Sequence, residues 1–120
     1  MSMKNVLNNG ISKENVDQYE LLTPLLESAY KEMSELSKKK FDAPLNSYKV
    51  KVINRIIKPL KEILKSEAVV QFLDILDADD LPTNSDVVLI LSQYIEATKL
   101  FYDKYYILNK NNGSWGWNIK

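Results

Sequence analysis

The chain has 120 residues, 16 Lys/Arg balanced by 16 Asp/Glu, 45% apolar residues, and neither Cys nor His. That length and apolar content suit one packed domain. The missing Cys and His exclude a disulfide framework, the usual zinc, copper and haem ligands, and Ser-His or Cys-His nucleophile pairs.

The neutral total hides sorted charge. Residues 31–65 carry ten Lys/Arg against four Asp/Glu, whereas residues 66–98 carry seven acids and no base. Faces of opposite sign steer partners or pair with each other. The three glycines are too scattered for a phosphate-cradling loop. No stretch approaches the roughly 20 apolar residues of a membrane span. The expectation is a soluble cytoplasmic protein with no cofactor and no membrane association.

Residues 1–15 are polar and Asn-rich and read as a flexible N-terminal arm. A helix is expected over Asp17–Lys39, with Leu22, Leu25, Leu26, Ala29, Tyr30, Met33 and Leu36 on one face. Pro24 implies either a start capped by Thr23 or a kink in a longer helix. Ala43-Pro44 breaks the pattern. Asn46 or Ser47 then caps a second helix, to Lys65, with an arc of Val52, Ile53, Ile56, Ile57, Leu60, Ile63 and Leu64 and a basic back. Pro59 is expected to kink it.

A short third helix is expected over Glu67–Leu76, burying Val69, Val70, Phe72, Leu73 and Leu76. An acidic turn follows, and Thr83, Asn84 or Ser85 caps a fourth helix over Ser85–Leu108. Its repeat of Val87, Leu91, Tyr94, Thr98, Phe101, Tyr105 and Leu108 is of the bundle type. The predicted fold is all-α: an antiparallel four-helix bundle over residues 16–108, followed by an aromatic C-terminal tail over 109–120.

Four features are candidates for function. Lys38, Lys39 and Lys40 with Lys51, Arg55 and Lys58 offer a basic surface for phosphates or an acidic partner. Scarce Arg and no interleaved aromatic weigh against specific nucleic-acid binding. Asp74, Asp77, Asp79 and Asp80 offer an acidic docking surface. They do not match a calcium loop, because the positions for its Gly and Glu hold Pro82 and Val88. Leu89, Leu100 and Ile107 form an apolar stripe on the back of the fourth helix, suited to a dimer or partner contact. Trp115 and Trp117 alternate with Gly116 and Asn118; they either fold back over Tyr102, Tyr105 and Tyr106 or anchor a partner.

No catalytic or metal constellation emerges. The sequence points to a non-enzymatic module that binds another protein, a small regulator, adaptor or neutraliser, with homodimerisation open to it. The alternative is a nucleic-acid-associated protein using the lysine-rich helix face.

Overall fold

The computed structural model describes residues 10–120. Its elements are α1 (Lys13–Lys39), α2 (Ser47–Ile63), a 3-10 turn (Ala68–Phe72), α3 (Asn84–Tyr105), β1 (Tyr106–Asn109) and β2 (Ser114–Trp117). The described residues thus fold as three helices and a two-stranded antiparallel sheet, not as a four-helix bundle.

α1 begins four residues earlier than expected. The Ser12 side chain accepts a hydrogen bond from the Asn15 amide and so caps one of the four orphan N–H groups. Pro24 lies inside this helix, so Thr23 is not its cap. The expected arm also ends sooner. Ile11 is buried and exchanges backbone hydrogen bonds with Asn118 and Lys120. Gly10 is required there, because a Cβ would lie 2.6 Å from the Asn118 carbonyl oxygen. The rest of the expected arm, residues 1–9, lies outside the described residues.

α2 is capped by Asn46, one of the two caps the sequence offers, and α3 by Thr83, one of three. α1 packs against both α2 and α3. The loops 41–45 and 82–85 meet at one end of the helices, where the Leu45 amide donates to Pro82 O and the Asn84 amide to Ala43 O. The buried core draws Leu26 and Met33 from α1, Ile57 and Leu60 from α2, and Leu91, Tyr94 and Phe101 from α3.

The expected third helix is the largest local departure. Only Ala68–Phe72 turns, as a 3-10 helix, and Phe72 is exposed rather than buried. Residues 73–77 run on without helix, and this strap spans α2 and α3. Tertiary bonds replace the helical ones. The buried Asn54 side chain donates to Leu76 O (2.8 Å) and accepts from the Leu76 amide (3.1 Å). The Tyr94 hydroxyl donates to Asp74 O (2.9 Å). Leu73 and Leu76 are buried, each contributing about 1.5–3 kcal/mol of apolar burial. The β-branched Val69, Val70 and Ile75 give a helix here little support.

α3 ends at Tyr105, not Leu108, because Tyr106–Asn109 pairs with Ser114–Trp117. The alternating Trp115 and Trp117 belong to a strand whose partner is the segment read as the last helical turn. The hairpin turn is built from side-chain oxygens: Asn109 Oδ1 accepts from the Asn111 amide, and Asn112 Oδ1 from the Ser114 amide and hydroxyl. Gly113 has φ +71°, a conformation glycine adopts freely.

Candidate functional site

In the hairpin, Tyr106 lies opposite Trp117 and Leu108 opposite Trp115. Residues directly paired and two apart share a face, so these four side chains form one surface. Its inner half is fixed. The Trp117 ring lies 5.0 Å from Tyr19, 5.5 Å from both Tyr102 and Tyr106, and 6.2 Å from Phe101, centroid to centroid. Phe101 also stacks on Tyr19 at 5.5 Å, and the Tyr19 hydroxyl donates to Thr98 O. Such contacts are worth about 0.5–1.5 kcal/mol per pair beyond area burial. Burial pushes the Tyr19 phenol up to about 12, with nearby acidic groups adding to the shift.

The outer half of that face carries Leu108 and Trp115, which are 43% and 62% exposed. The two tryptophans therefore do different things: Trp117 packs on the tyrosines, and Trp115 stands in solvent. A Trp held on a braced strand pays little conformational entropy on binding.

The expected apolar stripe of Leu89, Leu100 and Ile107 is not continuous. Leu89 and Leu100 are exposed on α3, but Ile107 lies on β1, on the face opposite to Trp115. Gln93 and Glu96 fall between the two leucines, which are therefore singly exposed residues of an ordinary kind.

The basic residues are split. Lys51, Arg55 and Lys58 line a groove of about 550 Å³ with Tyr48, Asn54 and Ala78. Lys38, Lys39 and Lys40 are not part of its lining; Lys38 pairs with Glu35, and the Lys40 carbonyl accepts from the Asn84 side chain. Tyr48, 70% exposed, is an aromatic beside these cations that the sequence reading missed. Its spacing to Lys51, Arg55 and Lys58, by three, seven and ten residues, was the available signal.

Ala78 brings the acidic turn to the rim of the same groove. No carboxylate of Asp74, Asp77, Asp79 or Asp80 comes within 4.0 Å of a basic group among the described residues. Asp77 Oδ1 accepts from the Asp79 amide and shapes the turn. Among the described residues no three His, Cys, Asp or Glu side chains converge to hold a metal ion.

One polar cluster was not foreseen. Glu67 accepts from Lys104 Nζ (3.0 Å) and from the Tyr105 hydroxyl (2.8 Å), and its side chain is only 11% exposed. The bond to Glu67 raises Lys104 above its ordinary value, and burial, followed by Glu67, raises Tyr105. Both groups are thereby held protonated, the wrong state for a general base. The adjoining cavity of about 80 Å³ has room for a few waters. The cluster reads as a clasp between the 3-10 turn and the end of α3.

Comparison with protein-family models, with curated proteins and with solved structures finds no match to this chain.

Proposed function

We propose that this protein is a non-enzymatic protein-binding module that presents Trp115 and Leu108 to a larger partner protein. The observation carrying this reading is the exposed Leu108–Trp115 pair on a hairpin braced by the Trp117–tyrosine cluster. Trp dominates binding hot spots, and a rigid apolar knob fits an apolar pocket. Of the four lysines in residues 99–120, Lys99 pairs with Glu96 and Lys104 with Glu67, and Lys110 lies in the hairpin turn beyond β1. That last lysine complements a pocket rimmed by acidic side chains. A regulator, adaptor or neutraliser of a larger protein works in this way.

The test is affinity capture from native lysate after nuclease treatment, with wild type beside Trp115→Ser, followed by binary reconstitution with the purified captured protein. The expected result is one stoichiometric partner retained by wild type and lost by the variant. Equal capture by both overturns the hairpin as the anchor.

Tyr48 beside Lys51, Arg55 and Lys58 favours a second reading, binding of single-stranded nucleic acid in the 550 Å³ groove. The acidic turn on its rim opposes a phosphate backbone, so this reading ranks below the first. A mobility shift that weakens steeply with salt and is lost in Lys51→Glu/Arg55→Glu supports it, and no shift at low salt excludes it.

A further inference from the structure

We propose that two copies of this chain associate through the outer face of α1 and α2, so that the two helical hairpins together form a four-helix bundle. The inference concerns a different surface from the hairpin and does not rest on the reading above.

The first observation is an apolar seam that no other described residue covers. On α1, Leu21, Leu25, Ala29 and Leu36 recur at spacings that keep them in line. On α2, Val52, Ile56 and Pro59 do the same. Leu21 and Leu25 are 62% and 49% exposed, although the sequence pattern assigns Leu25 to the buried face. Between the helices lies a groove of about 320 Å³ lined by Ala29, Met33, Leu36, Val52 and Ile53, with Tyr48, Glu32 and Lys49 at its edge. The 73–77 strap covers the other side of α2, and α3 covers the other side of α1, so among the described residues this seam lacks a third layer.

The second observation is the charge across that seam. α1 carries six acids and four lysines, and three of those lysines (Lys13, Lys38 and Lys39) stand at its ends. α2 carries five bases and one acid. At helical spacing Asp17, Glu32 and Glu35 flank Leu21 and Leu25 on the side away from α2, and Lys51 and Arg55 flank Val52 and Pro59 on the side away from α1, whereas Glu20 turns to Trp117. A two-fold axis parallel to the helices lays α1 of each copy on α2 of the other, acid on base, and does so twice because the interface is isologous. The perpendicular two-fold in the same plane sets acid on acid and base on base. Charge thus selects both the second copy as occupant and its orientation. Within one copy Glu32 lines the groove with Val52 and Ile53, so it falls within about one helical turn of Arg55 of the second copy.

α2 has 17 residues, giving a face about 25 Å long and, with α1 beside it, about 20 Å wide. That footprint of about 500 Å² is at the small end for specific association, so the dimer exchanges with monomer.

The test is the mass of the full chain by analytical ultracentrifugation over a concentration series. Wild type is expected to pass from 13.9 kDa to twice that mass as concentration rises. Leu25→Glu, an exposed position, is expected to stay monomeric with unchanged circular dichroism. Glu32→Lys and Arg55→Glu are each expected to weaken the dimer at least tenfold. An equimolar mixture of these two variants is expected to dimerise again, because both contacts are then opposite in sign. Recovery on mixing separates a contact between copies from a folding defect. A wild type that stays monomeric throughout overturns the inference. So does a dimer indifferent to Leu25→Glu, or a mixture that does not recover.

Discussion

Replacing Asn54 by Leu tests how the strap is held. Asn54 is buried and reads both sides of one peptide position, accepting from the Leu76 amide and donating to the Leu76 carbonyl. Leucine has the same number of side-chain heavy atoms and the same branch point, so the change opens no cavity. It leaves a buried N–H and a buried C=O unpaired, each costing about 1–3 kcal/mol. The expected loss is about 2–6 kcal/mol, against a total of about 6–18 kcal/mol for a domain of this size. Urea unfolding followed by tryptophan fluorescence reads the loss, and hydrogen exchange locates it. Amides of residues 73–77 are expected to exchange by local opening while those in the middle of α3 stay protected. A loss below about 0.5 kcal/mol, the scale of an ordinary surface change, refutes the claim that Asn54 fixes the strap.

Other outcomes follow from the same geometry. Trp115→Ser is expected to change stability by less than about 0.5 kcal/mol, whereas Trp117→Ala is expected to lose about 2–4 kcal/mol by emptying the aromatic cluster; paired urea titrations compare them. Gly10→Ala forces a Cβ against the Asn118 carbonyl and is expected to cost about 1–3 kcal/mol, with faster exchange of the Ile11 and Lys120 amides. Tyr19 is pushed up to about 12 and Tyr94, Tyr102 and Tyr105 are also raised, burial being the largest cause in each. These phenols ionise at lower pH in the unfolded chain than in the folded one. Their contribution is therefore complete below pH about 10 and lost as pH rises through the folded values. Thermal melts with tyrosinate absorbance are expected to show a midpoint falling above pH about 10. A midpoint unchanged to pH 12 contradicts the burial of Tyr19.

Much of the helical framework was legible in the sequence. The 3.6-residue period with cap candidates at 46–47 and 83–85 placed α2 and α3 within a few residues at their starts, because local caps and amphipathic faces decide those starts. The failures lie where distant groups decide. Residues 73–77 run as a strap because Asn54 and Tyr94 offer hydrogen bonds that no local window reveals. Residues 106–109 extend a plausible helical repeat, yet Trp115–Trp117 supplies them with a strand partner. Leu25 sits at helical spacing with core residues, but the arc facing α2 and α3 is narrower than the apolar arc in the sequence. Of the candidate site, the alternation of Trp115 and Trp117 was legible. Which tryptophan packs and which stands free depended on the hairpin register.

The most direct test of the central claim is hydrogen exchange of the full chain alone and in complex with the protein captured by wild type. The account predicts slowed exchange across residues 106–117, with residues 48–58 and the acidic turn unchanged. Protection confined to residues 48–58 or to the acidic turn, with residues 106–117 exchanging as in the free chain, contradicts it.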